Sequence, residues 1–99
     1  MGEVGTKLIF ENERVKVWEF ALGSGESIEA HTHEHDYFFY PIKGSTLEVR
    51  RANGRVDLVT LEAGCVYYRD RGDTHSAKNV GASRYHEVLV ELKASTPKR

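Results

Sequence analysis

Three of the five histidines, His31, His33 and His35, lie within five residues of one another, while His75 and His86 stand far along the chain. Imidazole is the commonest metal-ligating side chain and a proton carrier near neutral pH, so these residues are where chemistry is sought first. In an extended strand, residues i and i+2 project to one face. His31 and His33 therefore present two imidazoles side by side, as chelation of a single ion requires, and imidazole suits zinc, copper, iron and nickel. Two ligands do not hold an ion tightly. A third must come from another strand, and only His75 and His86 are histidines remote enough to supply it. His35 shares the parity of His33 and would join the set if the strand stays regular. If the strand bends there, His35 is a solvated or hydrogen-bonded residue instead.

The elements that must position these side chains are strands. Windows with helical i, i+3, i+4 periodicity are nearly absent, glycine interrupts the chain every dozen residues or so, and alternation dominates. Trp18, Phe20 and Leu22 fall on one face of an expected strand Val15 to Leu22. In His86 to Leu92, alternation puts His86, Val88, Val90 and Leu92 on one face, taken as the interior one, and Glu87, Leu89 and Glu91 on the other. Thr46 to Leu61 reads as two β-rich runs hinged at Asn53-Gly54, a pair that favours a type I′ hairpin turn. Further strands are expected at Lys7 to Phe10, Ser27 to His31, Asp36 to Ile42, Val66 to Arg69 and His75 to Val80. Short strands at this spacing define an all-β sandwich or barrel, and open edges favour closure into a barrel or jelly roll. The 99 residues are expected to form one domain, with residues 94–99 a polar tail.

Two spaced patterns sharpen this. Gly25, His31, His33 and Gly44 match the motif G-x5-H-x-H-x3-E-x6-G, with Tyr37 in place of the glutamate. Gly64, Gly72, His75 and Asn79 match G-x5-P-x-G-x2-H-x3-N, with Asp70 in place of the proline. The chain therefore resembles the cupins, small double-stranded β-helix barrels of jelly-roll type. The resemblance implies that His31, His33 and His75 hold a divalent metal ion (zinc, iron, nickel or manganese) at the barrel mouth, with open positions opposite. It also implies that the motif glycines sit at turns. Three neutral imidazoles leave the full charge of the ion uncompensated, which welcomes an anionic ligand. Tyr37 is expected to act as a hydrogen-bonding group beside the ion, and His86 reads first as a satisfied core residue and otherwise as a pocket residue or proton shuttle; Tyr37 and His86 are the candidate catalytic residues.

The remaining residues bound the function. Lys and Arg number 14 against 15 Asp and Glu, a net charge of -1 with no basic block, so nucleic acid is excluded as a first partner. Apolar runs fall far short of a membrane span, and a single cysteine, Cys65, points to a reducing, cytoplasmic setting and reads as a small buried hydrophobe. Trp18, Phe20, Phe38 and Tyr40 read as core or dimer-interface aromatics. Tyr67 and Tyr68 must face opposite ways, and parity does not say which faces the pocket. Arg50, Arg51, Arg55, Arg69 and Arg71 read as a solvated face, from which one side chain turned inward would bind a carboxylate. Two functions compete: a small metalloenzyme, dioxygenase-, isomerase- or hydrolase-like, acting on a small anionic molecule, and a non-catalytic small-molecule binding or sensing module. A homodimer is expected in either case.

Overall fold

The computed structural model describes residues 3–93. Nine strands follow in order: β1 (Lys7–Glu11), β2 (Val15–Leu22), β3 (Ser27–Thr32), β4 (Asp36–Lys43), β5 (Ser45–Arg51), β6 (Val56–Leu61), β7 (Tyr67–Arg69), β8 (Thr74–Asn79) and β9 (Tyr85–Leu92). They form two antiparallel sheets, one in the order β1-β2-β9-β4-β7 and the other β3-β8-β5-β6. Apart from the β1-β2 and β5-β6 hairpins, each successive strand crosses to the other sheet, which winds the chain as a double-stranded helix around one apolar interior. Trp18, Phe20 and Leu22 of β2 meet Leu47 and Val49 of β5, Leu61, Ala77, Tyr85 and Leu89 there. The nine expected strands are present within one or two residues of their expected ends, because each carries β-branched or aromatic residues between turn-forming glycines and polar residues. The tail expected at residues 94–99 lies outside the described residues.

Four local expectations are corrected. Asn53 does not have positive φ, so the β5-β6 turn is not type I′; only Gly54 is left-handed, at φ 91°. Its N–H donates to the Arg51 carbonyl at 2.9 Å and the Arg51 N–H to Arg55 at 2.8 Å. This is the three-residue hairpin loop with a glycine bulge. In β9 the parity is reversed, since Tyr85, Glu87, Leu89 and Glu91 are buried and His86 is on the opposite face. Both faces of β9 carry large apolar residues, and the inward glutamates are admitted because the Tyr85 hydroxyl and the Trp18 indole N–H bond to them. In β4 it is Tyr37 and Phe39 that point inward, leaving Phe38 half-buried and Tyr40 exposed. Cys65, expected in the core, is exposed, because it lies in the turn between β6 and β7.

Candidate metal centre and cavity

His31 owes its direction to an irregularity. Ile28 pairs with Ala77 and His31 with His75, so three steps along β3 match two along β8. The bulge at residues 29 and 30 turns both Ile28 and His31 inward, which strict alternation forbids. It also exposes the Glu29 carbonyl to the His31 Nδ1 at 3.0 Å. A carbonyl only accepts, so Nδ1 carries the proton and Nε2 is left as a lone pair.

His33 follows the end of β3 and is 2% exposed. Its backbone is clamped from both sides, its N–H donating to the Asp73 carbonyl at 3.0 Å and its carbonyl accepting from the Gly72 N–H at 2.8 Å. Gly72 adopts φ 106°, a conformation that side-chain-bearing residues rarely take, so this clamp depends on glycine. The chain bends at His35, which leaves the strand and lies beside Glu34 and Glu91 rather than in the imidazole group.

His75 arrives from β8. The Asp73 carboxylate accepts its Nδ1–H at 2.6 Å and is itself bound by the Arg51 guanidinium, which also reaches Asp57 at 3.2 Å. Ligating histidines are held in this way when their far nitrogen is to stay free. One ligand nitrogen from each of His31, His33 and His75 lies within 4.8 Å of the others, and the Nε2 atoms of His33 and His75 are 3.3 Å apart. Two nitrogens each about 2.0–2.1 Å from one zinc ion would be separated by roughly 3 Å. The three donors therefore fit a metal ion. Among the described residues no carboxylate or thiolate joins the group. Burial, and secondarily the neighbouring imidazoles, lowers the pKa of His33 to about 3; burial likewise lowers His31 and His75. The set is thus neutral and ready to donate lone pairs.

His33 is held differently from its partners. Its Nδ1 is buried with no hydrogen-bond partner among the described residues, and its ring instead stacks on Tyr37 at 3.9 Å between centroids, 13° from parallel. Tyr37 is 3% exposed, and burial raises its phenol above the ordinary range, so the hydroxyl keeps its proton. The structure thus gives Tyr37 a stacking contact with His33 where a hydrogen bond was expected. His86 is removed from the site altogether: it faces outward and bonds Glu19 of β2 at 2.8 Å.

The imidazoles open onto a cavity of about 80 Å³ between the sheets. At about 10–15 Å³ per water-sized position, it admits a molecule of a few non-hydrogen atoms. Its walls are mostly apolar, but four charged groups reach it: Arg51 and Arg69, two of the arginines read as a solvated face from which one side chain turned inward would bind a carboxylate, and Asp73 and Glu87, which the sequence did not assign to a site. Asp73 was readable, because it stands two residues before His75 and so on the same face. Arg69 lies over the rings of Phe39 and Tyr67, at 5.7 and 5.9 Å from their centroids, donates to the Tyr68 carbonyl at 2.9 Å, and pairs with no carboxylate among the described residues. Tyr67, not Tyr68, is the member of that pair packed on the core. Asn79, the last motif residue, has a structural task. Fully buried, it accepts from Ser45 and the Gly81 N–H and donates to the carbonyls of Leu22 and Ser83, tying the strand ends together.

The fold is shared with known proteins. A family model described as the cupin domain matches residues 18–90, and the chain belongs to that family. It is similar to a cupin-domain protein of Bordetella pertussis Tohama I at 29% identity, covering 94% of this chain and all of that one with a TM-score of 0.80. It is also similar to a Klebsiella pneumoniae protein with a double-stranded β-helix domain, at 24% identity, TM-score 0.70 and coverage of 91% and 76%. The polyketide cyclase RemF of Streptomyces resistomycificus shares the fold at 21% identity and TM-score 0.61, with 87% of this chain aligned to 59% of the cyclase. No curated protein gives a significant match. Among the described residues no helix is long and apolar enough to cross a membrane.

Proposed function

We propose that this cupin is a small metalloenzyme that binds a divalent ion through His31, His33 and His75 and acts on a small organic anion. The observation that carries the reading is the convergence of three neutral imidazoles, two buried and one half-buried, with no carboxylate or thiolate in the donor group among the described residues, on the wall of a small cavity. The candidate ions are iron, zinc, nickel and manganese. A bound ion would supply Lewis acidity, an activated water or, for iron, dioxygen chemistry. Arg69 supports the anionic ligand, since its guanidinium has no acid partner among the described residues and borders the cavity. One fold relative, the cyclase named above, is an enzyme; at its low identity that likeness carries the architecture and not a substrate.

A second reading, a binding or sensing module, is favoured by one observation: Tyr37, the phenol nearest His33, holds its proton too firmly to serve as a base. Elemental analysis of untagged protein is expected to find one equivalent of metal per chain, with little in His75→Ala; equal content in both would remove the three-histidine assignment. Oxygen uptake and product analysis with small keto acids, diketones and carboxylates separate the readings, because saturable binding without turnover supports the module. We propose a homodimer for both readings, supported by the exposed apolar edge strand β1, where Leu8, Ile9 and Phe10 are 42–52% exposed. Light scattering at micromolar concentration tests it.

A further inference from the structure

The cavity has a second polar group that the metal reading does not use. Glu87, from the middle of β9, is 4% exposed and lines the same cavity as the imidazoles. The Tyr85 hydroxyl, itself fully buried, donates to its Oε1. No cation is paired with it among the described residues: Arg51 is engaged by Asp57 and Asp73, and Arg69 lies over Phe39 and Tyr67. Its second oxygen has no hydrogen-bond partner among them and, unlike the orphaned His33 Nδ1, is not fully buried. The neighbouring Glu91 makes the contrast, since Trp18 bonds it and it lies outside this cavity. A buried carboxyl without a cation is most stable as the neutral acid, and then one oxygen bears a donor hydrogen.

We propose that Glu87, oriented by Tyr85, is a ligand-anchoring acid: a protonated carboxyl that donates a hydrogen bond to a carbonyl oxygen of a small carboxylate whose anionic end lies toward the imidazoles and Arg69. The proposal deepens the reading of the cavity as a site for a small organic anion and narrows the ligand class to short oxo acids. Burial pushes the Glu87 carboxyl up to about 8, against the lowering effect of the Tyr85 hydrogen bond, in keeping with this role. The apolar cavity residues beside it on the same sheet, Phe20, Phe39 and Leu89, have nothing to offer an oxygen, so the carboxyl is what distinguishes an oxo acid from its alkyl counterpart.

Two measurements test the proposal. Infrared spectra of the protein at neutral pH are expected to contain a protonated-carboxyl band that is lost in Glu87→Gln. Zinc-loaded protein titrated with acetoacetate and with butyrate, which lacks the carbonyl, is expected to prefer acetoacetate by roughly tenfold, the worth of one hydrogen bond. Glu87→Gln, which retains a donor, keeps most of that preference, and Glu87→Leu abolishes it. An ionised Glu87 at neutral pH, equal or undetectable binding of the two probes by the wild type, or an undiminished preference in Glu87→Leu would each overturn it. Where Glu87→Leu does not fold, the infrared comparison of wild type with Glu87→Gln decides. Zinc content is measured on each sample, so loss of the metal reading registers there, independently of the state of Glu87.

Discussion

The imidazole group and the Glu87–Tyr85 pair are both buried, titratable and on the wall of one cavity, yet they are built in opposite ways. His31 and His75 are each steered by an acceptor at Nδ1, the Glu29 carbonyl and the Asp73 carboxylate, and their other nitrogens converge with that of His33. Glu87 has a donor at one oxygen and no countercharge among the described residues. Burial removes the charge from both, but it lowers the histidines and raises the acid. One part of the cavity therefore offers lone pairs and the other a proton. The difference teaches that burial neutralises both kinds of group, and that the chemistry of the side chain then decides the outcome: a base whose Nδ1 is tied to an acceptor is left as a ligand to a cation, while an acid without a cation keeps a proton to donate.

The largest effect expected is on the imidazole side. His75→Ala should lower zinc affinity more than a hundredfold, measured by competition with a chromogenic chelator, while Glu87→Gln leaves it unchanged; equal losses in the two would erase the distinction. Next is the pH dependence of stability in metal-free protein. Between pH 4.5, the ordinary value for glutamate, and about 8, the unfolded chain has lost the Glu87 proton that the folded chain keeps. Stability contributed by this group is thus complete below 4.5 and lost as pH rises to about 8, a fall of a few kcal/mol. Urea titrations should show this slope disappear in Glu87→Gln. The histidines act with the opposite sign: their stability is complete above 6.5 and lost as pH falls, for His33 down to about 3.

A smaller effect tests how the ligands are held. Asp73→Asn leaves His75 in place but weakens the acceptor at its Nδ1, and zinc affinity should fall about 10–100-fold. Tyr37→Phe preserves the ring stacked on His33 and should bind zinc as the wild type does; a large loss would mean that the hydroxyl, and not the stack, positions His33. The smallest change is expected from His86→Ala. Its partner Glu19 is well exposed, so removing the pair should alter stability by less than about 1 kcal/mol, and metal content should not move. A loss of metal there would restore His86 to the site.

Much of the fold was legible because strand periodicity and turn residues are local. The alternation of Trp18, Phe20 and Leu22 and the turn glycines depend on neighbours only a few residues away. The site was legible to the extent that spacing encodes it: His31 and His33 share a face because they are two apart, and the motif brings in His75. The roles of Tyr37 and His86 were not readable. Tyr37 acts through a ring contact whose geometry no spacing specifies. His86 sits in a strand with apolar residues on both faces, where alternation alone does not choose the inward one.

From its residues alone, the chain determined an all-β cupin barrel, three histidines of metal-binding type and the turns that return the strands. Only the tertiary structure decided which way β9 faces, and with it that Glu87 rather than His86 borders the cavity. It also decided that the bulge in β3 aims His31 inward, and that Asp73, Arg51 and Arg69 gather around the site. The reason is physical. A side chain's face is set by periodicity only where one face of a strand is clearly apolar; where both are mixed, the choice falls to partners far away in the chain, here Trp18, which bonds Glu91, and Phe20, which packs edge-on against the Tyr85 that holds Glu87.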